Sequence, residues 1–228
     1  MAKKKKDEKP QGLQNVEQTL TKTEQFLEEN YKTLLTGLGI VVAVVALFWL
    51  TKFYLGKRND EAQAQIYQAE RYLEMDSIRL ALNGDGNYLG FLDITKDYKF
   101  TRVGNLARYG AGICYLHLGE YQEAINFLNK YSKKDKLIGS LATGATGDAY
   151  VEMGEIEKAI QKYLEAADFA SNSFNSPLFL MKAAELYEAG GNYPDALKLY
   201  ERIHSEYPES TEGNTVEKHI ARVKLLIK

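Results

Sequence analysis

Apolar positions along this chain fall into three regimes. Between Lys32 and Lys52 lie 19 residues without a charge, Thr33 through Thr51, and eleven of them are Leu, Ile, Val or Phe. At 1.5 Å per residue this run spans about 30 Å as a helix, the hydrocarbon thickness of a bilayer. Ahead of it, Leu13, Leu20, Leu27 and Leu34 fall seven apart, with Val16 and Tyr31 on the same stripe. That spacing places the leucines on one face of a helix over 13–32. Behind the run, apolar residues recur every three or four positions, and no alternating stretch predicts a strand.

The third regime also repeats on a longer scale. Gly112, Tyr115, Gly119, Tyr121 and Ala124 recur as Gly147, Tyr150, Gly154, Ile156 and Ala159, and again as Ala184, Tyr187, Gly191, Tyr193 and Ala196. The first offset is 35 residues and the second 37, and a period near 34 read as helix, turn, helix predicts an all-α helical solenoid. Each repeated position has a packing reason. Gly112, Gly147 and Ala184 let the helices of a hairpin approach closely, Gly119, Gly154 and Gly191 supply a turn with positive φ, the tyrosines fill the space between helices, and the alanines are the small contact on the second helix.

The uncharged run is read as an uncleaved single-pass anchor over 33–55. Its eleven strongly apolar residues favour insertion by roughly 3 to 7 kcal/mol before the Thr and Gly positions are subtracted. Tyr31 stands at one end, with Trp49 and Tyr54 at the other. A cleavable signal sequence predicts a small-x-small site after the run, whereas Lys52-Phe53-Tyr54-Leu55-Gly56-Lys57 follows. Lys3, Lys4, Lys5, Lys6, Lys9, Lys22 and Lys32 on the N-terminal side outnumber Lys52, Lys57 and Arg58, which favours a cytoplasmic N-terminus and repeats outside, in the periplasm of a bacterium with two membranes.

The remaining segments follow. Residues 1–12 read as a disordered Lys-rich tail. The leucine stripe over 13–32 is broken by Thr23 and Asn30, which favours an amphipathic lead-in over a coiled coil. Residues 56–104 are expected to form a divergent hairpin: a helix over 59–82 carrying Ala62, Ile66, Ala69 and Leu73, then a shorter one from Tyr88 to Tyr98. Asn83, Asp85 and Asn87 mimic a calcium loop, but Tyr88 and Ile94 stand where it needs Gly and Glu, so the stretch reads as a turn. Three repeats fill 105–208, with Thr101, Ser140 and Ser176-Pro177 as candidate helix starts, and a capping helix over 209–228 carries Val216, Ile220, Val223 and Ile227.

Charge is asymmetric. Residues 1–59 hold ten Lys/Arg against six Asp/Glu, a net of +4, and residues 60–228 hold 19 against 25, a net of −6. An acidic C-terminal part argues against nucleic-acid binding. Cys114 stands alone and reads as a small core residue. His117, His204 and His219 lack metal-ligand spacing, and no nucleophile motif or phosphate-cradling loop is present, so no enzyme, cofactor or metal site is expected.

The repeated constellation resembles the tetratricopeptide repeat, most closely over 112–125 (Gly-Ile-Cys-Tyr-Leu-His-Leu-Gly-Glu-Tyr-Gln-Glu-Ala-Ile) and 186–197. That resemblance implies a concave groove lined by the first helix of each hairpin. The matching positions are Tyr109, Ile113, Leu116 and His117, then Asp148, Val151 and Glu152, then Met181, Lys182, Glu185 and Glu188. Such a groove is apolar and aromatic at its first repeat and acidic farther on, which suits apolar or basic peptides. Repeats of this family that clamp a terminal carboxylate need Lys and Asn where Tyr109 and Ile113 stand, and His117 reads as a surface side chain rather than a ligand or pH switch.

The layout of anchor, diverged hairpin and about three repeats is similar to the YfgM family, and the stretch 83–94 looks like its Bacteroidetes members. That resemblance implies a bacterial inner-membrane protein ancillary to the SecYEG translocon, working with a PpiD-like periplasmic chaperone and emerging secretory polypeptides. The N-terminal segment of about 32 residues is longer than the family's. Two other readings stand beside it: a scaffold for outer-membrane protein assembly, cell-wall synthesis or cytochrome maturation, and a regulator acting through its cytoplasmic helix.

Overall fold

The structure, a computed structural model, describes residues 11–227, with side chains described from Glu24 onward except Glu28. The chain divides into two compact units, Met1–Tyr54 and Leu55–Lys228. Helix α1 runs Gln11–Glu74, so Gln11 and Gly12, expected in the tail, are helical. The rest of that tail and the leucines Leu13 and Leu20 lie outside the described side chains.

In the first unit the apolar run carries no covering layer. From Leu34 to Tyr54 its large apolar side chains are 42–68% exposed. This helix is long and apolar enough to cross a membrane, with a mean hydropathy of 2.4 over its most apolar stretch and none of that stretch buried. Two of the run's three threonine hydroxyls are satisfied within the helix: Thr36 Oγ1 donates to the Lys32 carbonyl and Thr51 Oγ1 to that of Leu47, both at 2.8 Å. Internal satisfaction is what a lipid environment demands of a polar group.

The second unit begins with the last turns of α1 and continues as α2 (Ile78–Asn83), α3 (Phe91–Asp97), α4 (Arg102–His117), α5 (Tyr121–Lys130), α6 (Lys136–Glu152), α7 (Ile156–Ala170), α8 (Asn175–Ala189), α9 (Tyr193–Glu206) and α10 (Gly213–Leu226). The described residues contain no strand, only an isolated bridge between Gly84 and Leu89. The hairpins α4–α5, α6–α7 and α8–α9 close identically. Gly119, Gly154 and Gly191 have φ of +76°, +75° and +76°. In each, the glycine N–H donates three residues back and the next N–H donates to a tyrosine carbonyl five back: Glu120 to Tyr115, Glu155 to Tyr150, Asn192 to Tyr187. This double bond satisfies two orphan carbonyls at each helix end.

The same closure occurs once more, where the sequence predicted unbroken helix over 59–82. Asp76 adopts φ +57°, Asp76 N donates to Leu73 O, and Ser77 N donates to Tyr72 O at 2.8 Å, ending α1 at Glu74. Ala69, Tyr72, Asp76, Ile78 and Ala81 thus repeat Gly112, Tyr115, Gly119, Tyr121 and Ala124 at an offset of 43, and Ala69 and Ala81 are fully buried. Aspartate tolerates the left-handed region through its short polar side chain, so no glycine marks the turn. The longer offset is taken up by the loop after Asn83. There both Asp85 carboxylate oxygens are occupied, Oδ1 by the N–H groups of Asn87 and Tyr88 and Oδ2 by the Tyr72 hydroxyl at 2.7 Å.

Glycines set the interhelical approach both within and between hairpins. A Cβ on Gly112 would sit 2.6 Å from Leu128 of α5, and one on Gly147 2.7 Å from the Tyr163 ring of α7. Between hairpins, the Phe91 ring of α3 packs onto Gly110 of α4, and the Phe179 ring of α8 packs onto Gly144 of α6. Ala124, Ala159 and Ala196 are fully buried, as their role as small contacts requires. Burying a ring such as Phe91 or Phe179 contributes about 1.5–3 kcal/mol.

Helix starts depart from the sequence in two places. Thr101 does cap α4, its Oγ1 accepting from Gly104 N at 2.9 Å. Ser140, however, is buried inside α6 and donates to the Ala166 carbonyl at 2.8 Å, while Asp135 caps that helix by accepting from Ile138 N at 2.9 Å. Helix α8 begins at Asn175, one residue before the expected Ser176. The Asn172 carboxamide oxygen accepts from Phe174 N and Asn175 N, and Ser176 instead donates to the Ala167 carbonyl.

Candidate peptide-binding groove

The first helices of the three clear hairpins are α4, α6 and α8, and the groove residues predicted from sequence lie along them. On α4, Tyr109, Ile113 and Leu116 are half-buried and pack against a cluster formed by Ala124, Leu128, Tyr131, Ala142 and Ala145. The Tyr109 and Tyr131 rings are 6.2 Å apart. Burial, helped by the neighbouring Tyr131 and Asp148, raises the pKa of Tyr109, so the apolar end of the groove is partly consumed by packing. His117 is exposed at the end of the helix.

Asp148 on α6 organises the centre. Its Oδ1 accepts from the Tyr163 hydroxyl of α7 and from Lys182 Nζ of α8, both at 2.6 Å, which ties three consecutive helices through one oxygen. The Lys182 ammonium lies 5.4 Å from the Tyr163 ring centroid, and that ring stacks on Phe179 at 6.2 Å. Burial, then the bond to Asp148, pushes the Tyr163 phenol far above its ordinary value. Val151 is half-buried against the α7–α8 core, and Glu152, exposed, accepts from the Tyr121 hydroxyl at 3.2 Å.

On α8 the residues part company. Met181 is 9% exposed and belongs to the core, so it presents no binding surface. Glu185 is exposed. Glu188 is held on several sides: Tyr200 of α9 donates at 2.8 Å and Arg222 of α10 donates twice, at 2.7 and 2.9 Å. The Arg222 guanidinium, then the Tyr200 hydroxyl, holds the Glu188 carboxyl below its ordinary value. Arg222 also reaches His219 Nδ1 at 2.9 Å, and the His219 ring lies 5.1 Å from that of Tyr200. Of the four carboxylates expected to make the groove acidic, two are therefore neutralised from within, because Lys182 pairs with Asp148 and Arg222 with Glu188, while Glu152 and Glu185 stay exposed.

Three residues of the same face escaped notice in the sequence. Leu106, Leu141 and Leu178 lie seven positions before the groove residues Ile113, Asp148 and Glu185, are half-buried, and recur at the offsets of 35 and 37 that define the repeat. The recurrence was there to find. The partners Tyr163 and Arg222 were not, since each sits 15 to 34 residues from the carboxylate it binds.

Cys114 is fully buried and burial pushes its thiol up to about 12, which makes it inert. Among the described residues no group of His, Cys, Asp and Glu could hold a metal ion.

Two family models, each described as "Tetratricopeptide repeat", match residues 94–136 and 179–210, one on α4–α5 and one on α8–α9. The chain carries tetratricopeptide repeats. Two similar solved structures are a putative kinesin light chain from Podosopora anserina with nearly identical TPR-like repeats and a point variant of that same protein. Each is 14% identical, over 74% of this chain and 87% of that one, with TM-scores of 0.54 for the parent and 0.55 for the variant. At that identity the likeness speaks for the fold alone. No curated protein matches the chain. Tetratricopeptide repeats indicate a protein–protein interaction scaffold, and the α6–α7 hairpin, between the two matched segments, carries the same glycine, tyrosine and alanine positions.

Proposed function

We propose that this protein is a membrane-anchored interaction adaptor whose repeats hold other proteins while the apolar helix keeps them at a bilayer. The observation that supports it most is the union, in one chain, of an uncovered apolar helix and an array of tetratricopeptide repeats. In this reading the lysines before the span keep the N-terminus cytoplasmic and the repeats work in the periplasm. The partners are then those implied by the resemblance noted above: the SecYEG translocon, a PpiD-like chaperone and emerging secretory polypeptides. Binding uses the exposed part of the α4–α6–α8 face, with Leu116, Val151 and Glu185 as its accessible members.

The test is retention of partners by the full-length protein from its own membranes in mild detergent, identified by mass spectrometry, alongside a photo-crosslinking residue at Val151. Recovery of translocon subunits with a prolyl-isomerase-like chaperone supports the adaptor. Recovery of a different envelope complex, with no translocon subunit, sinks the translocon assignment and leaves the anchored scaffold.

A further inference from the structure

We propose that a basic-rimmed pocket at the start of α4 and α6 receives an acidic segment of a partner protein that carries one bulky apolar anchor. The inference rests on the scaffold reading and names the partner chemistry for one part of the array. The pocket has a volume of about 620 Å³, and Leu106, Tyr131 and Ile138 give it an apolar floor. That volume is in the range of sites that enclose a side chain or small ligand. Lys99, Arg102, Arg108 and Lys134 stand around it against one carboxylate, Asp135, whose Oδ1 is already taken by Ile138 N.

One wall is fixed in advance. Arg108 donates to the Lys99 carbonyl at 3.0 Å and to Asn105 Oδ1 at 3.2 Å, and Asn105 exchanges bonds of 2.8 and 3.1 Å with the backbone of Ser132. Arg102 and Lys134 are exposed and have no ion-pair partner among the described residues. The Lys99 ammonium sits 4.7 Å from the Phe100 ring centroid, and that ring is 74% exposed.

The charge runs against its surroundings. Residues 60–228 are net −6, yet segment 96–108 is net +3 (Lys96, Lys99, Arg102 and Arg108 against Asp97), and segment 130–136 is net +3 (Lys130, Lys133, Lys134 and Lys136 against Asp135). Of these cations Lys99, Arg102, Arg108 and Lys134 line the pocket, while Lys133 is paired with Glu165 of α7, so four positive side chains against Asp135 surround an open apolar floor. An acidic segment is complementary to the rim and repelled by most of the remaining surface, which gives register as well as attraction. A flat anionic lipid surface matches the charge but offers nothing to fill the floor.

The experiment uses the full chain in nonionic detergent and fluorescence anisotropy of a short labelled peptide, a phenylalanine flanked by aspartates. The expected result is saturable binding that weakens as salt rises. Affinity should drop roughly tenfold in the Arg102→Glu/Lys134→Glu variant, whose changes touch only exposed rim positions. A similar drop is expected when alanine replaces the peptide's phenylalanine. If charge reversal disturbs the circular dichroism spectrum, Arg102→Gln/Lys134→Gln replaces it, with a smaller loss of the same sign.

Equal binding by variant and wild type overturns the proposal, as does equal binding of a phenylalanine flanked by lysines. So does indifference to every peptide combined with binding to phosphatidylglycerol vesicles that Arg102→Glu/Lys134→Glu abolishes. If a photo-crosslinker at Val151 still captures proteins in membranes while the acidic peptide is ignored, only the pocket assignment falls. If both fail, the scaffold reading falls with it.

Discussion

Replacing Asp148 by alanine removes both hydrogen bonds at the centre of the groove at once. The Tyr163 hydroxyl loses its 2.6 Å acceptor in a side chain that is only 3% exposed. A buried hydroxyl left without a partner costs about 1–3 kcal/mol. The Lys182 pair adds less: its partners are 37% and 33% exposed, so solvent screening holds its contribution to about 1 kcal/mol or below. The expected loss for Asp148→Ala is about 1–4 kcal/mol. For a unit the size of Leu55–Lys228 this lowers the melting temperature by roughly 2–16 °C. The assay is urea unfolding of the full chain in detergent, followed by circular dichroism and tyrosine fluorescence together, because repeat arrays can unfold in stages. Tyr163→Phe supplies the control. With no hydroxyl to strand, Asp148→Ala in that background should cost about 1 kcal/mol or less. A loss under about 0.5 kcal/mol in the single variant, or one undiminished in the Tyr163→Phe background, refutes the interlock as an energetic unit.

Three further outcomes are expected. Gly154 has φ +75° and open space around its Cα, so Gly154→Ala pays only for the backbone and should lose about 1 kcal/mol in the same unfolding assay. Arg222→Ala frees Glu188, whose carboxyl is held below its ordinary 4.5 in the folded state; the wild type's advantage in melting temperature, a few degrees, should be complete at neutral pH and shrink as pH falls below about 4.5 through the lowered value. Cys114, buried with its thiol pushed up to about 12, should resist dithiobis(nitrobenzoate) at about pH 8 in the folded protein and react promptly once urea unfolds it; fast labelling of the native chain contradicts its place in the core.

What could be read from the sequence was whatever a single residue type encodes by itself. Glycine at 119, 154 and 191 announces positive φ, and alanine at 124, 159 and 196 announces close approach. The turn at Asp76 hid because aspartate reaches the same φ without a glycine's signature, and because the loop after Asn83 stretches the offset to 43. Ser140 looked like a cap by type, but a hydroxyl serves equally well inside a helix when a facing carbonyl, here Ala166, accepts it. Asp148 and Glu188 were placed on the right helices, yet their charge state in the array was illegible, since Lys182 and Arg222 each approach from 34 residues away. Met181 shares the register of Tyr109, but its unbranched, flexible and wholly apolar side chain fills the core, where the Tyr109 phenol stays half-buried.

The buried apolar side chains of the second unit gather in three clusters, and the middle one, Ala124, Leu128, Tyr131, Ala142 and Ala145, is the smallest. It joins α5 to α6, and three of its five members are alanines. In an array where each hairpin touches only its neighbours, resistance to parting is set interface by interface. The junction with the least apolar mass is thus the natural fracture line under tension, and the place where a slow opening would begin. A partner gripping both Leu116 and Val151 bridges that line, so holding a client and bracing the array against force become one act.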